Sequence, residues 1–423
     1  MNGLINFIIL IFIIFFGSFC SSRKPFSEKP SKSISNPDSD LLEVNAVAYH
    51  TNDSTTAVFL EIINENLIYK RPDTSSSFYA DTKISYKLLV EQGSKKIIDS
   101  SSYNINNRAT ENFELKSITS KFNLKAKRQE NYYLDIQITD LNKKIKYTKG
   151  LNIYKKNNLS EQNFLITKNN LVSFKKNLLK NETVVVTYNN PELKQITVNY
   201  FIKEFGPARP PFSIQEADEF KYKPDSTIKI NLTENEFKLI MPEQGFIHVT
   251  ADESQLEGLT LFTYDITFPG VSNSDEMINC TRYIMNKEEF ETCKNAEDKK
   301  AAIDNFWITI AGSKERAREL LKRYYGRVKE ANKYYSSYTQ GWKTDRGIIY
   351  IVFGPPTSVY KNKNNETWVY GIESNPNSVH FNFIKTKNPF SDNDYIIERS
   401  VYLKDPYYTA VDYWRQGRIY LQH

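Results

Sequence analysis

Histidine, cysteine and methionine are scarce in this 423-residue chain, at four, three and four copies. So few imidazoles and thiols argue against a multi-metal site. The pairing Cys-x-x-Cys is absent, as are the zinc motif His-Glu-x-x-His, the phosphate-binding loop and the Gly-x-Ser-x-Gly nucleophile elbow. His50, His248, His380 and His423 are scattered, so a histidine-based acid–base pair has to be assembled across domains. His380 is the best placed, among aromatic strand residues, and reads as an ordinary strand histidine. No long basic run occurs, and 56 basic against 50 acidic residues are well mixed. Nucleic acid is therefore not an expected partner. No cofactor is expected.

Aromatic residues are plentiful, with 28 tyrosines and 26 phenylalanines. Such residues suit the pleated faces of β-rich folds. The length points to two to four domains.

Leu4 to Phe16 is apolar apart from Asn6. As a helix this run is about 20 Å long, short of a ~30 Å hydrocarbon core. It fits a secretory signal over residues 1–20. Gly17, Ser18, Phe19 and Cys20 follow, and this ending resembles a bacterial lipoprotein signal, which implies a lipid on Cys20. It departs from that pattern at Phe19, where a small residue is usual, and in Met1–Gly3, which lacks Lys or Arg. Cleavage after Cys20 or Ser22, or an uncleaved anchor, are the alternatives. Residues 21–40, rich in Ser, Pro and Lys, read as a flexible tether spanning on the order of 25 Å.

Residues 41–158 carry about seven short alternating segments separated by Asn, Asp, Ser and Gly, the pattern of an immunoglobulin-like β-sandwich. Residues 159–272 predict a second β-sandwich, with strands at Thr183–Tyr188, Ile196–Ile202, Phe246–Val249 and Leu259–Phe268. Between them, Phe205–Phe212 holds three prolines, which exclude a central strand. It reads as an extended loop packed on its own domain.

Residues 273–423 predict an α+β domain, helices first and then a small antiparallel sheet. Helices are expected over Lys287–Asn295, Asp298–Ala311, Ser313–Tyr335 and Thr409–Gln416. The chain then reads Gly341-Trp342-Lys343-Thr344-Asp345-Arg346-Gly347, six apolar residues from Ile348 to Phe353, and Gly354-Pro355-Pro356. This predicts a tight turn feeding a strand buried on both faces. In that setting Asp345 accepts turn amides and Trp342 packs on the long helix; a catalytic role for Asp345 lacks an acidic or histidine partner nearby in sequence. Asp392-Asn393-Asp394 has calcium-like spacing without the rest of a loop, and reads as a solvated turn. Cys280 and Cys293 are candidates for a disulfide, the alternative being two separate buried thiols.

The run from Arg282-Tyr283-Ile284 through Gly312–Glu319, Tyr324-Tyr325, Gly341-Trp342-x-Thr344-Asp345-Arg346-Gly347, Phe353–Pro356 and Trp368–Gly371 resembles the GWxTD-domain family of Bacteroidetes-type bacteria. The likeness covers about Cys280 to Trp414, with a weaker echo at Pro207–Phe212. It implies an envelope lipoprotein with β-rich N-terminal regions and supplies no catalytic chemistry. The expectation is a membrane-anchored, non-enzymatic scaffold that meets an envelope protein partner in an outer-membrane or secretion-related assembly. The alternative is a carbohydrate- or peptidoglycan-binding module with weak hydrolysis at most, recognisable by Trp342, Trp368 or Trp414 on an open groove.

Overall fold

The structure is a computed structural model describing residues 31–33 and 42–419, apart from 64, 66, 72, 74–76, 110–116, 216–222 and 363. The expected signal segment with Cys20, most of the tether, and His423 lie outside the described residues. Within the tether, Ser31–Ser33 forms a short strand (β1) on the C-terminal sheet.

Seven strands build the first sandwich: β2 (Val44–His50), β3 (Thr55–Ile63), β4 (Phe78–Leu89), β5 (Ile97–Ala109), β6 (Ser117–Lys125), β7 (Asn131–Asp140) and β8 (Ile145–Tyr154). One sheet runs β2-β3-β6 and the other β5-β4-β7-β8, with antiparallel neighbours. Alternation places Val58, Leu60 and Ile62 of β3 opposite Ile84, Leu88, Leu134, Ile136 and Ile138 of the other sheet in one core.

The second sandwich follows with β9 (Phe164–Lys168), β10 (Leu171–Val172), β11 (Asn177–Leu179), β12 (Thr183–Tyr188), β13 (Gln195–Phe201), β14 (Ser226–Asn231), β15 (Glu236–Ile240), β16 (Gly245–Thr250) and β17 (Leu259–Tyr264). Its sheets run β10-β9-β12-β15 and β11-β17-β16-β13-β14. Val184, Val186, Val198, Ile247 and Leu261 fill its core.

Helices α1 (Ser274–Thr281), α2 (Lys287–Asn295), α3 (Lys299–Ala311), α4 (Lys314–Tyr335) and α5 (Asp345–Phe353) come next. Strands β18 (Ser358–Lys361), β19 (Asn365–Tyr370), β20 (Val379–Lys385) and β21 (Tyr395–Ile397) and helix α6 (Lys404–Arg415) complete the chain. The sheet order is β1-β18-β19-β20-β21. Local chemistry fixes the helix ends. Asn286 and Glu289 form a reciprocal capping box on α2, Ser313 caps α4, and Gly312 ends α3 in the left-handed region at φ 75°. Along α4, Ala317, Leu320, Tyr324, Val328 and Ala331 face the core, as their spacing predicts.

The apolar run after the motif is a helix, α5, and not the expected strand. All nine of its residues are buried, so no polar face marks its period. A continuous apolar run does not distinguish a buried helix from a buried strand. Two local signals decide it: Thr344 caps the start, and Gly354 stops it at φ 89°. The Pro-rich segment is also placed differently. Ala208 N donates to Lys343 O at 2.7 Å, and Phe212 packs on Tyr407 and Tyr408, so the loop lies on the C-terminal domain.

The second sandwich and the C-terminal domain share a core. Phe201, Phe246 and Phe262 of the sandwich enclose Phe390 from the loop between β20 and β21, with ring centroids 4.9–5.0 Å apart for Phe201–Phe390 and Phe246–Phe390.

Candidate functional site

The motif begins as a turn at Gly341–Lys343 pressed against the end of α4. A Cβ on Gly341 would meet Ala331 O at 1.9 Å, and one on Gly347 would meet Gly341 O at 1.8 Å. Both glycines are therefore demanded by close backbone approach. Trp342 is only 3% exposed. Its backbone N donates to Asn332 Oδ1 at 3.1 Å and its Nε1 to Gln340 Oε1 at 2.7 Å. Its carbonyl accepts from Tyr283 Oη at 2.7 Å.

Thr344 is the residue that caps α5: its Oγ1 accepts from Gly347 N at 3.1 Å and donates to Gly341 O at 2.8 Å. Asp345 is freed from that duty. It reaches the far strand, accepting from Ile397 N at 3.0 Å and from Arg399 Nη2 at 2.6 Å. Burial raises the Asp345 carboxyl above the usual range, with Arg399 and the Ile397 amide pulling the other way. Its partners are thus not the amides of its own turn.

Arg346 is the hub. Its Nη1 donates to both Glu366 oxygens at 3.3 Å, and its Nη2 donates to Asn393 O at 2.9 Å and to Asn393 Oδ1 at 2.5 Å. The guanidinium lies 4.0 Å from the centroid of the Tyr395 ring. Glu366 also accepts from Lys361 Nζ at 2.5 Å and from Trp368 Nε1 at 3.3 Å. Burial works against its charge, but Arg346 and Lys361 together hold the Glu366 carboxyl below the usual range. Beyond α5, Arg327 donates to Ile351 O and Val352 O at 3.1 Å each and packs against Gly354, where a Cβ would meet its Nη2 at 2.6 Å. Pro356 is buried and Pro355 exposed at the turn into β18.

The structure thus brings Gly341, Trp342, Thr344, Asp345, Arg346, Gly347 and Gly354 into one joint between α4, α5 and the sheet. Cys280 and Cys293 stand apart from it, as free, buried thiols in place of the candidate disulfide. Burial raises both thiols, Cys280 strongly. Arg327, Asn332, Glu366, Asn393 and Arg399 are essential to the joint and were not singled out from sequence. Only Asn393 stood in a flagged motif; it serves Arg346 and the end of α4, donating to Tyr334 O and Ser336 O at 2.9 Å. Its neighbour Asp394 accepts from Thr386 Oγ1 and Asn388 Nδ2. Among the described residues no group of His, Cys, Asp and Glu is arranged to hold a metal ion.

His50 and His248 are buried, each bonded to a threonine hydroxyl and a backbone carbonyl. His380 is an exposed residue on β20 whose Nε2 bonds Ser378 Oγ. Beside the motif a cleft of about 560 Å³ opens where all three domains meet, bordered among others by Tyr154, Asn177, Tyr264, Ser337 and Ser391.

No curated protein matches the sequence. Among solved structures, Escherichia coli alpha-2-macroglobulin activated by porcine elastase is similar at 12% identity and a TM-score of 0.13. That likeness covers 50% of this chain and 22% of the other, and it carries no argument about function. The family model of the GWxTD domain matches residues 245–416. The match begins earlier than the likeness at Cys280 and takes in β16 and β17. Within that range Phe246 packs on Phe390 of the C-terminal domain, and Phe262 belongs to the same cluster. On this match and on the joint built by Gly341, Trp342, Thr344 and Asp345, the chain carries a GWxTD domain over residues 245–416.

Proposed function

We propose that this protein is a membrane-anchored envelope lipoprotein, held by a lipid on Cys20, that acts as a non-enzymatic scaffold in an outer-membrane or secretion-related assembly. One observation carries the reading: the polar groups of the motif are committed to structural pairs. Asp345 is bound by Arg399 and Ile397, Arg346 by Glu366 and Asn393, and Thr344 by its own helix. A general acid or base needs a free lone pair or proton facing substrate, and here those groups face protein. What the motif supports is rigidity within the C-terminal domain, between α4, α5 and the sheet, which suits a scaffold.

The test is cross-linking in membranes followed by affinity capture of the tagged full chain. A stoichiometric envelope partner in the membrane fraction is expected, and it should be lost with Cys20→Ala. Recovery as a free monomer, or equal recovery in the soluble fraction without Cys20, would sink the proposal.

The second reading, saccharide binding, does not gain the open tryptophan platform it expected. Trp342, Trp368 and Trp414 are all buried. The cleft at the three-domain seam is the observation that keeps it.

A further inference from the structure

We propose that the tip of the β7–β8 hairpin, with the loop beside it, is a contact surface for an anionic phospholipid bilayer. The inference rests on the membrane reading, which it extends from the anchor to the first sandwich. Ile68, Leu141 and Ile145, at one end of that sandwich, are 40%, 40% and 47% exposed. Exposed aliphatic residues scattered singly need no explanation, but a group of them with a polar rim marks a partner or a membrane.

The tip is built around a buried carboxylate. Asp140, 1% exposed, ends β7. Its Oδ1 accepts from Asn142 N at 2.8 Å and Lys143 N at 2.9 Å, and its Oδ2 from Ile68 N at 3.3 Å. Asn142 Nδ2 donates back to Ile68 O at 2.9 Å. These bonds tie the loop that carries Ile68 to the turn that carries Leu141. Lys144 then takes the left-handed region at φ 60° and passes the chain to Ile145. The three aliphatic residues therefore sit on one hydrogen-bonded unit.

Charge selects the partner. In residues 68–71, 73 and 141–146 the charged side chains are five cations, Lys70, Arg71, Lys143, Lys144 and Lys146, and one anion, Asp73. Lys70 Nζ donates to Asn142 O at 3.1 Å, which draws that lysine onto the turn. Lys144 and Lys146 flank Ile145, and both are exposed. Aliphatic groups ringed by lysines suit the boundary between headgroups and acyl chains. The apolar groups are buried there while the ammonium groups meet lipid phosphates. A protein partner favours aromatic anchors in packed pockets. The one aromatic residue in these segments, Tyr69, is half-buried, with its hydroxyl donating to Asn107 Oδ1 at 2.8 Å.

A polarity-sensitive fluorophore on Ile145→Cys, in the full chain with Cys20→Ser, tests this; Cys280 and Cys293 are buried. Vesicles of phosphatidylglycerol and phosphatidylethanolamine should shift its emission to the blue and expose it to a quencher on the acyl chains. Phosphatidylcholine vesicles, or about 0.5 M salt, should give a much smaller shift. A label on Glu192→Cys, in the second sandwich, should stay unshifted. Lys144→Glu with Lys146→Glu should lower the tip's equilibrium constant for the membrane about 25-fold, each lysine near an anionic surface contributing roughly fivefold. Thermal melting of that variant should match the parent, because both lysines are exposed. The proposal is overturned if the label at 145 stays unshifted in anionic vesicles, or shifts equally in the charge-reversed variant. A chain that sediments with the vesicles while that label stays unshifted would keep its anchor and lose the tip. A shift with poly-glutamate and none with vesicles would assign the tip to an acidic protein instead.

Discussion

Replacing Arg346 by Met tests whether the motif is a joint. The substitution removes two contacts to Glu366, two to Asn393 and the packing on Tyr395. Breaking one side of a buried ion pair typically costs about 3–5 kcal/mol, because the remaining charge loses its partner. Here Glu366 keeps Lys361, so the lower half of that range, about 3–4 kcal/mol, is expected. For a domain of this size that lowers the melting temperature by roughly 10 °C. The double variant Arg346→Met with Glu366→Met should recover part of the loss, since it leaves no buried charge. Urea unfolding followed by tryptophan fluorescence is the assay. The four tryptophans, Trp307, Trp342, Trp368 and Trp414, all lie in the C-terminal domain, so the signal reports that domain alone. The pH dependence has a definite sign. Because the Glu366 carboxyl is held low in the fold, its contribution is present above the ordinary glutamate value of about 4.3 and fades as pH falls through its lower folded value. Arg346→Met should flatten that acid limb. A loss below about 1 kcal/mol, with the acid limb unchanged, would refute the hub role of Arg346.

Gly341→Ala and Gly347→Ala each drive a Cβ into a backbone carbonyl, at 1.9 and 1.8 Å, and should yield insoluble or unfolded protein; soluble variants with wild-type melting would contradict the geometry. Thr344→Ala should cost about 1 kcal/mol as a lost helix cap, read from the same urea curves. In the native protein Cys280 and Cys293 should stay unreactive towards a thiol reagent and titrate as two thiols on unfolding; one disulfide in their place would disprove the free pair. His50 and His248 are lowered to about 4, mainly by burial. The unfolded chain therefore binds protons first, and each sandwich should lose on the order of 3 kcal/mol between pH 7 and pH 4. Flat stability over that interval, measured by tyrosine signals, would count against buried neutral rings.

Much of the fold was legible because its signals are local. Asn286 with Glu289, and Ser313 with the apolar stripe of α4, mark helices by capping and period. The strands of the first sandwich show in alternation. Helix α1 (Ser274–Thr281) was not among the expected helices, and the misread element was α5. Its residues are buried on every side, which erased the period, and the cap at Thr344 was outweighed by the apolar run. The motif was legible as a joint, but Asp345 was assigned to the wrong partners. Its true ones, Ile397 and Arg399, are more than fifty residues away in sequence.

The amino-acid sequence by itself determined the order of modules and the helix caps at Asn286 and Ser313. Those depend on neighbours within a few residues, whose spacing survives in a string of letters. Only the tertiary structure decided that β16 and β17 share a phenylalanine core with the C-terminal domain, that Arg346 meets Glu366 and Asn393, and that a cleft opens between three domains. Such pairings join residues far apart in the chain, where packing, and not local propensity, selects the partner.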